Sequence, residues 1–285
     1  MKVQKLLVVG TGTMGGGIAQ VAAHAGDTVL LYDATPSAAE RARNRIGKSL
    51  ARALEKGYVT QSDIERTLSN LHPISSLEEA AEVDAVIEAV KEELEIKRKV
   101  FADLEALVCN ETFLWSNTSM ISLTEIASDL RHPGRMAGTH FFNPVPRMQL
   151  VEIIAGKYTA EATLLAAEAT MARWGKTPVR APDSPGFIVN RLLDAFLREA
   201  LVLHGEGVGI ENIDAAIRLG LNFPMGPMEL MDLVGLDTVH DCLLSQAKGV
   251  GRSTNPADYS TRLVELVQAG KLGRKSGEGF YAKLS

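Results

Sequence analysis

The chain has 285 residues, of which 46% are hydrophobic and 23% are charged, a composition that excludes a disordered or collagen-like protein. At roughly 150 residues per domain, this length predicts two domains, each large enough to bury its own core. The formal net charge of −5 excludes a general electrostatic attraction to nucleic acid, so we expect no nucleic-acid partner.

Cysteine content and hydropathy indicate the cellular compartment in which the protein is expected. The two cysteines, Cys109 and Cys242, are too few for a disulfide framework or a four-cysteine zinc site, so we expect a cytoplasmic protein without a metal centre. No run of about 18 apolar residues occurs, and we expect neither a membrane-spanning helix nor a membrane partner. Lys2 and Lys5 precede an uncharged stretch that resembles a secretory signal. Its apolar run, Leu6–Val9, is short and is followed by glycines, so we interpret the segment as part of the fold.

The N-terminal residues predict a unit that binds a dinucleotide. Alternating apolar segments indicate a strand, a helix and a second strand at residues 3–9, 16–25 and 28–32. The turn before the helix reads GTGTMG, which is a GxGxxG sequence. In this motif Gly10 permits a tight turn, Gly12 lets the backbone approach the pyrophosphate, and Gly15 allows the helix to pack closely on the strand. The helix N-terminus adds free N–H groups that attract phosphate.

Asp33 follows the second strand and indicates which dinucleotide is bound. It lies about 20 residues after Gly15, at the position where a carboxylate can accept hydrogen bonds from both ribose hydroxyls. Because a carboxylate repels the 2′-phosphate of NADP and no arginine follows Asp33 directly, the sequence favours NAD.

The remainder of the first 182 residues predicts a doubly wound sheet. Further strands are predicted at residues 83–90, 112–115, 136–142 and 150–154, and helices at residues 37–56, 91–108 and 160–174. Strands that alternate with helices are typical of an α/β domain with a mostly parallel, Rossmann-type sheet. We assign this NAD-binding domain to residues 1–182.

Charges on the predicted helices have ordinary structural explanations. Ser37 and Glu40 have the spacing of a capping box at the start of the helix 37–56. Early acidic and later basic residues complement the dipole of the helix 91–108. The same residues predict ion pairs from Glu93 to Lys97 and from Glu95 to Lys99.

Lys48, Arg52 and Lys56 recur at every fourth position of the helix 37–56 and predict one positive stripe. Like charges at this spacing cost a few tenths of a kcal/mol each, so the stripe could serve a polyanionic ligand. It could equally be a solvated face on which Glu55 relieves the repulsion, and composition alone favours that interpretation.

Pro178, Pro182 and Pro185 lie within residues 175–186 and predict the edge of a domain. No strand is predicted beyond them. Helices are predicted at residues 187–204, 210–219, 228–233, 237–248 and 261–268. We therefore expect a smaller all-α domain over residues 183–285.

A histidine, a glutamate and a serine stand on or near predicted strand ends, and together they suit the oxidation of an alcohol. His140 lies at the carboxyl end of its strand, where doubly wound sheets bind ligands, and imidazole exchanges protons near neutral pH. Glu152 lies in an otherwise apolar strand, where a carboxylate is costly unless it is paired. A hydrogen bond between these two residues would fix the imidazole tautomer. Ser119, in the segment SNTS, adds a hydroxyl at the preceding strand end.

Each of these residues also has a structural explanation. The chain has six histidines, and a single histidine is more often structural than catalytic, while Glu152 could face solvent on an edge strand. Ser119 could cap a helix that begins near Ile121, with Ser122 and Glu125 as a competing capping box. Their grouping beside a cofactor motif favours the catalytic interpretation.

The chain resembles the L-3-hydroxyacyl-CoA dehydrogenase family. The resemblance rests on motifs in the order GTGTMGGGIAQ, EAVKEELEIKRKVF, SNTSMISLTEIA, GTHFFNPVPRMQLVEII, DSPGFIVNRLL, MGPMELMDLVGLD and KLGRKSGEGFY. The most specific of these are HFFNPV with its downstream glutamate and PGFIVNR. The resemblance covers the whole chain, whose size is most similar to that of bacterial 3-hydroxybutyryl-CoA dehydrogenases.

This resemblance implies a reaction and roles for individual residues. It implies reversible NAD-dependent oxidation of a short-chain (S)-3-hydroxyacyl-CoA to the 3-oxoacyl-CoA, by a homodimer that forms through the helical domain. The implied catalytic residues are His140 as base, Glu152 as its partner, and Ser119 and Asn190 as groups that hold the substrate oxygen. The implied cofactor contacts, besides the glycine turn and Asp33, are Glu92, Lys97, Asn143 and Lys275. Arg52 and Lys56 match residues that bind the coenzyme A phosphates, whereas Lys48 has no match.

Two other functions stay open at this point. A dehydrogenase of the L-gulonate type would carry the same histidine and glutamate but would bind no coenzyme A. A non-enzymatic NAD-binding protein, such as a lens crystallin of this family, would keep the cofactor motif without turnover. Dehydrogenases of 3-hydroxy acids that use a lysine base are disfavoured by His140 and Glu152. The chain departs from the family where the tail reads FYAKLS and where Glu93 replaces a more usual polar amide.

Overall fold

The computed structural model describes residues 2–282, which form two compact units. The first unit ends at Phe187 and the second begins at Ile188, a few residues beyond the boundary expected from the prolines. Asp183 attaches this segment to the first unit, because its carboxylate accepts hydrogen bonds from Ser122 Oγ at 2.8 Å and Thr124 Oγ1 at 2.6 Å. Among the described residues, no helix has the length and apolar character needed to cross a membrane.

The first unit is built on one eight-stranded sheet. In chain order the strands are β1 (Lys5–Val9), β2 (Thr28–Tyr32), β3 (Leu71–Pro73), β4 (Ala85–Glu88), β5 (Phe113–Ser116), β6 (Met136–Phe141), β7 (Leu150–Ala155) and β8 (Thr177–Pro182). Their spatial order is β3-β2-β1-β4-β5-β6-β7-β8, and every neighbouring pair is parallel except β6 with β7. The strand order reverses at β1, and such a switch point leaves a ligand-binding crevice at the carboxyl ends of the strands.

Helices connect the strands and cover both faces of the sheet. They are α1 (Thr13–His24), α2 (Ala38–Glu55), α3 (Gln61–Ser69), α4 (Leu94–Leu107), α5 (Leu123–Ile126) and α6 (Glu161–Arg173), with 3-10 turns at Leu77–Ala80 and Pro133–Arg135. Leu7 and Val8 point to opposite faces of β1 and are both fully buried, so each face is shielded from water. The predicted doubly wound, mostly parallel sheet is confirmed.

The second unit is all-α, as predicted. Its helices are α7 (Val189–Gly205), α8 (Ile210–Leu221), α9 (Pro227–Val234), α10 (Leu236–Val250) and α11 (Thr261–Gln268), with a 3-10 turn at Pro256–Asp258. Two buried carboxylates tie the C-terminal tail to this unit. Asp232 accepts hydrogen bonds from the N–H groups of Phe280 and Tyr281 at 2.9 and 3.0 Å, and Asp214 accepts one from Tyr281 Oη at 2.7 Å. Burial raises the pKa of Asp232.

Three elements of the first unit were not predicted. They are α3, β3 and β8. Strand β8 contains Pro178 and Pro182, which it tolerates because it is an edge strand that pairs with β7 alone. The antiparallel pairing of β6 with β7 is the exception in this mostly parallel sheet. Residues 142–149, which connect these strands, are too few for the crossover of a dozen or more residues that a parallel pair requires.

Local predictions on the helices were partly wrong. Ser37 makes no side-chain cap, because its φ of 56° is left-handed whereas a capping residue needs extended backbone. Ser122 does cap α5, and its Oγ accepts from the N–H of Glu125. The two predicted ion pairs on α4 do not form. Lys97 turns into the protein interior instead, and Lys99 pairs with Asp103 at 3.0 Å.

Candidate active site

The glycine-rich turn between β1 and α1 leaves the N-terminus of α1 open. Gly10 has φ +89°, and a Cβ at this position would lie 2.6 Å from the carbonyl oxygen of Ala89. A Cβ at Gly15 would lie 1.8 Å from the carbonyl oxygen of Gly10, so only glycine lets α1 pack this closely on the turn. A Cβ at Gly12 would meet nothing within 4 Å. The backbone at Gly12 therefore faces open space that a phosphate can approach.

Asp33 lies at the carboxyl end of β2, beside a cleft of about 640 Å³ that Gly10 and Gly12 also line. Its carboxylate accepts hydrogen bonds from the N–H of Thr11 at 2.8 Å and the N–H of Thr35 at 2.9 Å. Burial raises the pKa of Asp33, but these hydrogen bonds outweigh it and hold the pKa below its ordinary value. The cleft thus combines an open helix N-terminus with an ionised carboxylate. These groups fit the pyrophosphate and ribose of a dinucleotide.

His140 and Glu152 lie directly opposite each other on β6 and β7. The distance from His140 Nδ1 to Glu152 Oε2 is 2.7 Å, and the two residues are 3% and 1% exposed. A carboxylate can only accept a hydrogen bond, so Nδ1 carries the proton when Glu152 is ionised. In the neutral imidazole, Nε2 then carries the lone pair that can accept a proton.

Aromatic rings pack against the His140 imidazole. The ring centroid of Phe142 lies 4.5 Å from that of His140, and the centroid of Phe187 lies 5.5 Å away. Phe187 is itself 2% exposed. These rings restrict the imidazole to one orientation and keep water from the hydrogen bond to Glu152, which strengthens it.

Glu92 organises the turn that carries Ser119. Its Oε1 accepts hydrogen bonds from the N–H groups of Ser119 at 2.7 Å and Met120 at 3.2 Å, and from Thr118 Oγ1. Burial raises the pKa of Glu92, but the charge of Lys97 and the hydrogen bonds from Thr118 and Ser119 more than offset it. The pKa of Glu92 therefore lies below its ordinary value, and the turn is held by a charged acceptor.

Lys97 joins Glu92 to a second carboxylate, Glu88. The Lys97 ammonium lies 2.7 Å from Glu88 Oε1 and 3.1 Å from Glu92 Oε2, and the side chain is 1% exposed. Since Lys97 is enclosed, we expect it to act on a bound cofactor through Glu92 and not by direct contact.

The loop after β6 borders a second cleft, of about 470 Å³. Asn143 and Arg147 line it from this loop, and Arg45 and Ser49 line it from α2. The described residues that line this cleft include no aspartate or glutamate. Lys176 holds the loop in place, because its Nζ donates to the carbonyl oxygens of Val145 and Met148 at 2.6 and 2.8 Å. Burial lowers the pKa of Lys176.

Four further residues of the predicted site lie at the end of α2 or in the second unit. Arg52 and Lys56 are exposed at the C-terminal end of α2. Asn190 lies in the first turn of α7, and Lys275 lies in the tail of the second unit, where its Nζ is 2.6 Å from Asp237 Oδ2. The first unit thus brings together the glycine turn, Asp33, Glu92, Ser119, Asn143, His140 and Glu152 at the carboxyl edge of its sheet.

Sequence reasoning missed Glu88 and Lys176. Glu88 had a usable signal, since it is an acid inside the apolar strand VIEAV, the same argument that singled out Glu152. Lys176 had none, because a lysine after a helix is ordinarily solvated and its partners are carbonyl groups distant in sequence.

Comparison with known proteins places the chain in a family. The model of the NAD-binding domain of 3-hydroxyacyl-CoA dehydrogenase matches residues 5–184, and the model of its C-terminal domain matches residues 186–283. The chain belongs to the 3-hydroxyacyl-CoA dehydrogenase family. The predicted family and the predicted NAD cofactor are thereby confirmed, and the chain is an NAD-dependent oxidoreductase.

Individual relatives extend over the full chain. A probable 3-hydroxybutyryl-CoA dehydrogenase of Bacillus subtilis is 43% identical over 283 residues, which cover 99% of this chain and 98% of the relative. The 3-hydroxyadipyl-CoA dehydrogenase of Escherichia coli is 44% identical over 99% of this chain, which spans 59% of that longer protein. The crystal structure of (S)-3-hydroxybutyryl-CoA dehydrogenase from Ralstonia eutropha superimposes with a TM-score of 0.93 and 36% identity, over 100% of both chains.

Replacement of Lys97 by methionine tests the buried charge cluster. Loss of Lys97 leaves the buried Glu88 without its cation, and we expect the free energy of unfolding to fall by about 3–5 kcal/mol at pH 7. The lowered pKa of Glu92 stabilises the native state fully above the ordinary value of 4.5, and this contribution is lost as the pH falls from 4.5 through the lowered pKa. The deficit of Lys97→Met relative to the unmodified protein should therefore shrink from pH 7 to pH 4, as measured by urea unfolding.

The matched control for this prediction is Lys99→Met, on the same helix. The Lys99 side chain is 77% exposed and pairs with Asp103 at the surface, so its loss should cost less than about 1 kcal/mol. Equal destabilisation by both variants, or a deficit that grows toward acid pH, would contradict the account of the cluster.

Proposed function

We propose that this protein catalyses the reversible, NAD-dependent oxidation of short-chain (S)-3-hydroxyacyl-CoA to the 3-oxoacyl-CoA. The observation that carries the proposal is the buried 2.7 Å contact of His140 Nδ1 with Glu152 Oε2, in the sheet whose carboxyl edge also carries the glycine turn and Asp33. The short acyl chain is supported by the relatives from Bacillus subtilis and Ralstonia eutropha, which are named as 3-hydroxybutyryl-CoA dehydrogenases.

His140 is the general base in this proposal. Its Nε2 takes the proton of the substrate 3-hydroxyl during oxidation and returns it during reduction. Glu152 holds the proton on Nδ1 and stabilises the positive charge that develops on the imidazole. When bound, NAD would be the two-electron oxidant and would accept the hydrogen of the substrate C3 as a hydride.

The substrate oxygen is held by polar side chains. Ser119 donates a hydrogen bond to it, and Glu92 keeps the backbone of Ser119 in place through the hydrogen bond from its N–H group. By family resemblance, Asn190 contributes a second hydrogen bond to this oxygen. Together these groups orient the hydroxyl for proton transfer to His140.

Coenzyme A is assigned to the basic face of α2. Arg45, Ser49, Arg52 and Lys56 recur at intervals of three or four residues and are all exposed, so they follow one side of the helix. This side starts at the second cleft, which no acidic side chain lines among the described residues. The negative phosphates of an acyl-CoA suit such a surface.

The assembly and location of the protein are also proposed. We infer a homodimer through the second unit, where Leu192, Leu219 and Leu221 are 68%, 87% and 59% exposed and would be covered by a partner subunit. We infer a cytoplasmic location, since Cys109 and Cys242 are both free thiols.

The direct test is the steady-state oxidation of NADH with acetoacetyl-CoA, alongside free acetoacetate and with NADPH in place of NADH. We expect fast turnover only for the thioester with NADH, because the carboxylate of Asp33 repels a 2′-phosphate. No turnover of the thioester by protein that binds NADH would contradict the proposal. It would favour an enzyme of the L-gulonate type or a non-enzymatic NAD-binding protein.

His140→Gln should lose at least about 100-fold in kcat, the contribution of a positioned general base, with little change in the KM for acetoacetyl-CoA. The matched control is His132→Gln, an exposed histidine of the same unit, which should keep its activity. A His140→Gln enzyme with most of its turnover would show that another group is the base.

The double variant Arg52→Ala/Lys56→Ala should raise the KM for acetoacetyl-CoA about tenfold, equivalent to about 1.4 kcal/mol, and should leave kcat nearly unchanged. The control Arg131→Ala/Lys157→Ala removes the same charge from exposed positions away from α2 and should change the KM little. Equal effects from both pairs would mean that net charge alone attracts the substrate. In an enzyme of the L-gulonate type, neither pair of substitutions would change the KM for its own substrate, which carries no coenzyme A.

A further inference from the structure

Glu88 is a carboxylate in the middle of a sheet. It is the last residue of β4, which lies between β1 and β5, and it is 0% exposed. Apolar residues of similar volume often serve stability as well as a buried ion pair, or better, because both ions must be removed from water. Stability alone is therefore a weak explanation for an acid at this position.

Both carboxylate oxygens of Glu88 contact groups at the carboxyl edge of the sheet. Oε1 accepts hydrogen bonds from Lys97 Nζ and from the N–H of Val90, each at 2.7 Å. Oε2 accepts a hydrogen bond from Ser116 Oγ, the last residue of β5, at 2.7 Å. The side chain thus joins the turn after β4 to the turn after β5.

Two separate connections extend from Glu88 to the turn that carries Ser119. In the first, Ser116 Oγ accepts a hydrogen bond from the N–H of Thr118 at 3.2 Å. In the second, Lys97 lies 3.1 Å from Glu92, which accepts the hydrogen bond from the N–H of Ser119. Lys97 is the cation that reaches both carboxylates, so its position depends on both of them.

We propose that Glu88 is a positioning residue for the active site, whose carboxylate sets Ser116 and Lys97 and through them the turn that presents Ser119. This inference rests on the proposed function, in which Ser119 holds the substrate oxygen. Glutamate has two acceptor oxygens. Glutamine at this position would have one acceptor oxygen, and its NH₂ group can only donate. The variant Glu88→Gln therefore cannot accept from Ser116 and Lys97 on separate oxygens, and the turn loses one of its two connections.

The test compares Glu88→Gln with Asp27→Asn. Asp27 is 2% exposed, pairs with Arg173 at 2.6 Å and lies just before β2, at the opposite edge of the sheet from Ser119. Both variants neutralise a buried carboxylate, so both should lose stability. We expect Glu88→Gln to lower kcat for acetoacetyl-CoA by about 10–100-fold, the effect of a small misplacement of a catalytic group. Asp27→Asn should keep kcat within about threefold at a temperature where both are folded.

Amide hydrogen exchange supplies a readout that needs no turnover. In the cofactor-free protein, the peptide that contains residues 117–121 should exchange faster in Glu88→Gln and at the normal rate in Asp27→Asn. Equal kcat and equal exchange in the two variants would overturn the inference. Failure of the proposed function is distinguishable, because the unmodified protein would then be inactive on the thioester while the exchange difference persisted.

Ser116→Ala covers the case in which Glu88→Gln does not fold. It removes the contact to Oε2 and the acceptor for the N–H of Thr118, and it keeps the ion pair with Lys97. A smaller decrease of kcat, with faster exchange of residues 117–121, would support the inference. Unchanged kcat and unchanged exchange in Ser116→Ala would overturn it.

Discussion

The antiparallel pairing of β6 with β7 is the constraint on which the active site depends. This one reversal in an otherwise parallel sheet sets His140 opposite Glu152, with their side chains on the same face. Because side chains alternate along a strand, a register shift of one residue would move Glu152 to the other face and break its hydrogen bond to His140. The short connection between the strands and the partner strand β8 both hold this register.

Carboxylates do similar work elsewhere along the same edge. Glu88, at the end of β4, accepts a hydrogen bond from Ser116 at the end of β5. Glu92 accepts hydrogen bonds from N–H groups of the turn after β5, and Asp33 accepts one from the N–H of Thr11 in the glycine turn. Each acid accepts from backbone or side-chain donors on a neighbouring turn. The turns at the carboxyl edge are therefore connected to one another as well as to their own strands. This arrangement keeps the groups that would meet cofactor and substrate in fixed positions, which catalysis by positioning requires.

Much of this architecture could be predicted from the sequence, for physical reasons that differ between features. The glycine turn could be predicted because each glycine meets a local steric requirement, as the close approach of Gly15 to Gly10 shows. Asp33 could be predicted from its position after the second strand. Glu152 was readable as an acid that needs a partner. The antiparallel direction of β7 follows from its short connection to β6, a signal that was present in the sequence but was not used. Strand β8 with its prolines and the inward turn of Lys97 could not be predicted, because each depends on how its segment packs in the folded unit. Glu88 was overlooked even though the argument for Glu152 applied to it.

The most direct measurement on the central pair is the tautomer of His140. In protein labelled with ¹⁵N-histidine, long-range ¹H–¹⁵N NMR spectra distinguish a protonated from an unprotonated ring nitrogen, and the His140 signals can be assigned by their absence from His140→Gln. The account predicts a proton on Nδ1 and a bare Nε2 in the neutral ring, with this preference lost in Glu152→Ala. A neutral His140 with its proton on Nε2 would contradict the account, because that nitrogen could not then accept the proton of the substrate.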